Sequence, residues 1–328
     1  RRRLVRCGLV RHQYRQVSPP EAPIVGSILD VPGVLAGHWT GSGTGVTVVV
    51  FPPDSVGSCE VRGGAPATRE TALLDPTCTV GQVDAIVLTG GSAFGLATAD
   101  GVMRALAGQG RGFPTHAGPV PIVPAAAIFD LVQAEESPPG PEEGIEALVA
   151  AQQSPAPGLV GPGLAQGRVG AGRGATLGKW RGAEHAHPGG LGSASGREGD
   201  AVVGALAVVN AVGDVLALDG TVLAGSTAPA GAPGFPDPAP FEAEIDTGLR
   251  TNTTLVLVAT NAGCTKLECH LLAQSAHHGM ARAIQPSHTR YDGDIAFAVS
   301  TGAVDAQFDR VRALATDVTA EAIRRAVV

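Results

Sequence analysis

The sequence predicts a layered α/β fold in which sheets lie between helices. Three observations carry this. Apolar, β-branched runs recur at Gly45–Phe51, Asp84–Thr89, Ala201–Asn210, Thr254–Asn261 and Ile295–Ser300, each short enough for a buried strand. Helical spacing of apolar residues recurs from Leu96 to Leu106, Glu142 to Gln152, Leu267 to Ile284 and Ala303 to Val328. The strands come in consecutive groups separated by paired helices, which suggests layered packing with sheets between helices.

In chain order, Ile28–His38 reads as a short strand and turn, and the strand Gly45–Phe51 is ended by Pro52-Pro53. Val61-Arg62-Gly63-Gly64-Ala65-Pro66 is a turn-rich loop. The strand Asp84–Thr89 runs into Gly90-Gly91-Ser92 and a helix stopped by Gly108 and Gly110. A strand, a glycine turn and a helix start can hold an anion on backbone N–H groups. Neither the Gly-Lys-Ser/Thr ending nor GxGxxG follows here, so a nucleotide site is not expected. Residues 136–167 are rich in Pro, Gly, Glu and Gln around one helix, and a glycine-rich run then ends at Lys179. Val215–Leu218 with Asp219-Gly220 predicts a turn or hairpin.

Composition narrows the partners. The chain has 328 residues, a net charge of −7 and no basic stripe interleaved with aromatics, so no nucleic-acid partner is expected. Charged residues make up 16%, below the roughly 25% usual in soluble proteins. With aromatics at 4%, the core has to be built from Val, Leu, Ile and Ala. No run of 18 apolar residues occurs, so no membrane partner is expected either. The five cysteines are odd in number and lack a CxxC pair, which fits reduced thiols and a cytoplasmic location. No metal or cofactor is expected, since His185/His187 and His277/His278 lack the ligand spacing of a zinc site. The start, Arg1-Arg2-Arg3 without an initiator Met, reads as a fragment or an over-extended frame, with 1–27 poorly ordered or extraneous and 28–328 a single domain.

The chemistry-bearing feature is Asn252-Thr253-Thr254, which opens an apolar strand shortly after the Pro-, Ala- and Gly-rich stretch Ala224–Pro240. Two readings stand at this point. The threonines are β-formers at a strand start, or the chain cuts itself before Thr253. At a new terminus Thr253 would carry its own base, an α-amine with a reference pKa near 7.7–8.0.

Several segments in order settle the choice between these readings. They are Asp30-Val31-Pro32-Gly33-Val34 with Gly37-His38, Arg62–Pro66 with Thr68–Thr71, and Leu88–Leu96. Further along come Val169–Gly172 to Lys179, Gly190–Ser195, Val208-Val209-Asn210, Asn252-Thr253-Thr254 and Tyr291-Asp292-Gly293-Asp294. Together they resemble the DmpA-type self-processing aminopeptidases (the L-aminopeptidase/D-esterase, P1 or S58 family), over roughly residues 28–325. The Asn-Thr junction, Ile284-Gln285-Pro286 and His288-Thr289 are similar to the nylon-oligomer hydrolase branch.

The resemblance implies a layered αββα sandwich of the N-terminal-nucleophile-hydrolase type, cleaved between Asn252 and Thr253 into 1–252 and 253–328. It implies Thr253 as nucleophile, Lys179 and Asn210 beside it, with Asn210 holding the oxyanion, and Asp292 and Asp294 orienting the nucleophile's amine or hydroxyl. It points to Thr253 rather than Thr254, because Thr253 to Asn261 reproduces the family's spacing from nucleophile to the polar residue closing its strand. One departure is Phe129, which stands where better-studied relatives have an active-site tyrosine. The expected substrate is a small peptide or amide with a free amino end, and the expected assembly a homo-oligomer, a tetramer in the family. Two alternatives remain: a 6-aminohexanoate-oligomer endohydrolase, and a non-catalytic glycine-rich binding protein. Read by themselves, Lys179 is a solvated charge, Asn210 ends a strand, and Asp292-Gly293-Asp294 is a turn or a weak cation site.

Overall fold

The β-branched runs become central strands because residues apolar on both faces are satisfied only between layers. The computed structural model describes residues 24–134, 137–154, 163–229 and 252–328. Its elements are β1 (Leu35–Thr40), β2 (Gly45–Val50), β3 (Val56–Val61), β4 (Thr68–Arg69), β5 (Ala85–Thr89), α1 (Thr98–Gly108), β6 (Ala125–Ala127) and α2 (Pro141–Gln152). Then come β7 (Gly190–Glu198), β8 (Ala201–Asn210), β9 (Thr253–Ala262), α3 (Lys266–Ala283), β10 (Ile295–Val304) and α4 (Phe308–Arg325). One five-stranded sheet has the order β1-β2-β5-β6-β4 and the other β7-β8-β9-β10-β3.

The cores define the layers. Val49, Ile86 and Leu88 of the first sheet meet Leu206, Leu257 and Phe297 of the second. The first sheet's other face packs Val48 and Val87 on Val102, Leu106 and Leu148 of α1 and α2. The second sheet's other face packs Val203, Val256 and Ala296 on Leu272, Met280 and Val318 of α3 and α4. The result is the expected helix–sheet–sheet–helix sandwich. Fully burying each such side chain stabilises by about 1.5–3 kcal/mol.

Strand alternation decides which face each site residue occupies. In β9, Leu255 and Leu257 look between the sheets, whereas Val256 and Val258 look at the helices. Thr253 therefore shares the inter-sheet side, and Thr254 the helix side. Asn210 falls on the inter-sheet side of β8, with Leu206 and Val208.

The structure differs from the sequence reading in several places. Ile28–Asp30 is a 3₁₀ turn capped by Ser27, and the strand begins only at Leu35. Residues 24–27, grouped on sequence with the N-terminal segment, join the fold: Val25 bridges to Ser195 of β7, and the Arg325 guanidinium donates to the Ile24 and Gly26 carbonyls. Residues 1–23 lie outside the described residues. Strand β3 was not expected, and neither was β7, whose Gly and Ser are poor strand formers. Its small residues let α4 lie close, since a Cβ at Gly192 would stand 2.1 Å from the Ala322 carbonyl oxygen. Strand β10 runs to Val304, so α4 starts at Phe308 rather than near residue 303. The expected hairpin forms, with Asp214–Leu216 antiparallel to Val222–Ala224. The loose connection leaves the described residues after position 229. No helix among the described residues is long and apolar enough to cross a membrane.

Candidate active site

Thr253 is the first residue of β9 and only 4% exposed. Antiparallel pairing of β8 with β9 sets Asn210, the last residue of β8, directly opposite it. The Thr253 hydroxyl donates to the carbonyl oxygen of Asn252 at 2.5 Å, so it lies against the peptide group preceding its own residue. Thr254 is buried too, but its Oγ1 has no hydrogen-bond partner among the described residues. Asn261, at the far end of β9, accepts from Val202 N–H and so ties the strand to β8.

Lys179 sits in a single 3₁₀ turn, Lys179–Arg181, entered through Gly178 in the left-handed region at φ 68°. It is 5% exposed, and its Nζ donates to Asn210 Oδ1 at 2.9 Å. Burial lowers its pKa from 10.5 to about 7, partly offset by the negative charge of Asp292. A neutral amine is therefore accessible near pH 7. Thr176 N–H donates to the same Asn210 oxygen at 3.0 Å. With Oδ1 so occupied, Nδ2 is the end of the amide that donates, and it reaches the Phe129 carbonyl at 3.4 Å. Phe129 thus presents its backbone carbonyl to the Asn210 amide.

Both aspartates lie in the turn that opens β10, and both are buried. Asp292 accepts from Val212 N–H at 3.3 Å, and from the N–H and hydroxyl of Thr289 at 2.9 and 2.6 Å. Burial, and next the neighbouring Asp294 carboxylate, push Asp292 up to about 7. Asp294 accepts from Thr254 N–H at 2.6 Å and from His288 N–H at 3.0 Å, and His288 Nδ1 lies 2.9 Å from Oδ2. The side-chain bond from this pair to β9 thus goes to Thr254 N–H, one residue beyond the amine or hydroxyl that the resemblance named.

All five residues singled out on sequence gather at the Asn252–Thr253 junction. The sequence reading assigned no role to Thr176, Val212, His288 or Thr289. Thr176 and Val212 act through backbone N–H groups, which leave no residue-type signal. The glycine turn at Gly90-Gly91 is internally satisfied, with Gly91 N–H donating to the buried Asp130 carboxylate at 2.6 Å. Among the described residues no cluster of three or more His, Cys, Asp or Glu is arranged to hold a metal ion.

Comparison with known proteins places this site in context. The profile of the family described as Peptidase family S58 matches residues 26–328. An uncharacterized aminopeptidase of Mycobacterium leprae (strain TN) is 43% identical over 297 residues, covering 85% of this chain and 80% of that protein. A 6-aminohexanoate-oligomer endohydrolase of Agromyces sp. (strain KY5R) is 32% identical over 288 residues, covering 84% of this chain and 75% of its own. Among solved structures, the L-aminopeptidase D-Ala-esterase/amidase of Ochrobactrum anthropi, described as a variant of the Ntn-hydrolase fold, superposes with a TM-score of 0.67 at 19% identity. It covers 94% of this chain and 88% of its own. A Burkholderia sp. β-aminopeptidase superposes with a TM-score of 0.64 at 21% identity, covering 94% of this chain and 87% of its own. At these identities the likeness is one of fold.

Proposed function

Because this chain belongs to peptidase family S58, and is therefore a hydrolase of amide or peptide bonds, we propose that it matures by cutting itself before Thr253. The observation that carries this reading is the Thr253 hydroxyl lying 2.5 Å from the Asn252 carbonyl oxygen, in a buried site shared with Asn210.

Thr253 Oγ attacks the Asn252 carbonyl carbon while a neutral Lys179 amine takes its proton. The tetrahedral adduct collapses with rupture of the C–N bond, and the departing nitrogen, reprotonated, becomes the Thr253 α-amine. Water then splits the ester, leaving an Asn252 carboxylate and the restored hydroxyl. In turnover the α-amine serves as the nucleophile's base, and Asn210 Nδ2 donates to the substrate oxyanion. The Lys179–Asn210 bond and the Asp294 bond to Thr254 N–H hold these parts in place. A cytoplasmic location and assembly into a homo-oligomer, a tetramer in the family resembled, belong to the same reading.

Purified protein is expected to contain two associated chains, 1–252 and 253–328. Intact-mass spectrometry checks this, and a chain still uncut after prolonged incubation would count against the mechanism.

The substrate we propose is a small peptide or short amide with a free amino end, in line with the aminopeptidase relative. The endohydrolase relative supports a second reading, cleavage within 6-aminohexanoate oligomers. Release of p-nitroaniline from α-aminoacyl, β-aminoacyl and 6-aminohexanoyl anilides is expected to be fastest for an α- or β-aminoacyl group. Cleavage confined to 6-aminohexanoyl compounds would favour the second reading instead.

A further inference from the structure

The carbonyl that Thr253 would attack has a second donor, from a part of the site given no role so far. Gly293 N–H donates to the Asn252 carbonyl oxygen at 2.8 Å, where Asn252 and Asp292 form a parallel bridge. We propose that this Gly293 N–H is the oxyanion donor of the self-cleavage step, a different group from the Asn210 amide assigned to substrate turnover. The inference rests on the self-cleavage reading above.

Three observations support it. First, the donor already bonds the oxygen on which negative charge develops when Thr253 Oγ adds to the carbonyl carbon, and a preorganised donor there needs no rearrangement.

Second, the donor is held from behind. Arg62 N–H and Gly63 N–H donate to the Asp294 carbonyl at 3.0 and 3.1 Å, and Ala65 N–H donates to the Asp292 carbonyl at 2.9 Å. The Arg62–Pro66 loop, conspicuous in the sequence but without a chemical side chain in the site, thus clamps the peptide unit that carries the Gly293 N–H and the unit that follows Asp294.

Third, residue 293 has no space for a side chain. A Cβ there would stand 2.7 Å from Thr253 Oγ1 and 2.7 Å from the Ala65 carbonyl oxygen. A glycine at this position lets the loop backbone come up against nucleophile and scissile carbonyl together.

The step balances without another reagent. The Oγ–C bond forms, the carbonyl oxygen takes the electron pair against Gly293 N–H, and the pair returns as the C–N bond breaks. The proton removed from Oγ ends on the departing nitrogen.

The test removes the N–H, at the cost of weakening the Asp292 carbonyl as acceptor for Ala65 N–H. Full-length chain is made by cell-free translation with glycolic acid at position 293, so that an ester oxygen replaces the amide nitrogen. The first-order cleavage rate is followed by intact mass, and turnover is measured per matured site. The ester chain is expected to cleave on the order of 10²–10³-fold more slowly, with turnover per matured site changed by less than about tenfold. Cleavage at the wild-type rate, or an equal loss in both steps, overturns the assignment; the second outcome makes the amide structural.

Should the ester chain not fold, amide hydrogen exchange decides. In the uncut Thr253→Ala chain the Gly293 amide is expected to be strongly protected, and in the matured wild-type protein much less so. Equal protection in both overturns the proposal. Failure of the underlying reading is separately visible, since wild-type chain would then not cleave at Asn252–Thr253.

Discussion

Thr253→Ala is expected to leave the chain in one piece and inactive. On the proposed mechanism the substitution removes the atom that forms the ester, so self-cleavage and turnover are lost together. Losing a hydroxyl nucleophile elsewhere costs on the order of 10⁶ in kcat. Thr253→Ser keeps a hydroxyl on the same inter-sheet face, so cleavage and measurable activity should persist. Thr254→Ala is the informative control. Its hydroxyl lies on the helix side of β9 without a hydrogen-bond partner among the described residues, while its N–H, which Asp294 accepts, survives the change. That variant should therefore cleave like wild type. Terminal sequencing of the short chain checks the assignment: a first residue of Thr254 would move the nucleophile by one and refute it at this position.

Asn210→Ala should produce the second-largest loss, on the order of 10²–10³ in turnover by matured protein, about 2.7–4 kcal/mol of transition-state stabilisation. The same change strips the acceptor from Lys179 Nζ and Thr176 N–H, and a buried donor left unpaired costs about 1–3 kcal/mol of stability. A thermal midpoint measured beside the rate separates these effects. A variant that unfolds, or one with full activity, would make Asn210 structural.

Lys179 adds a pH signature to the maturation step. A base works when deprotonated, and burial brings this amine to about 7. Self-cleavage should fall about tenfold per pH unit below that value and level off above it. Lys179→Arg, whose guanidinium stays charged throughout, should lose the step at every pH. Cleavage of that variant at the wild-type rate would remove the lysine from the mechanism.

The sequence by itself determined the strands and helices whose signal is local. Apolar residues in consecutive runs at 45–51, 201–210 and 254–261 state that both faces are buried, and helical spacing at 142–152 and 267–284 states a one-sided face. It also singled out five residues, through ordered motifs that individually are weak, and the fold brings these five together. Strand β7 was not legible, because Gly192 and Gly196 there answer to the nearness of α4, which no local window contains.

Only the tertiary structure decided what the site residues touch. Lys179, Asn210, Thr253 and Asp292 are far apart in the chain; antiparallel β8–β9 beside parallel β9–β10 brings the last three to one end of the sheet, where Lys179 bonds Asn210. That register sets Asn210 opposite Thr253 and aims Asp294 at the N–H of Thr254 rather than at Thr253. It also gives the Arg62–Pro66 turn its use, as a clamp on the loop whose amide meets the Asn252 carbonyl. Residue types carry propensity along the chain, but backbone donors have no residue type. Where an N–H points is decided only when distant strands pair.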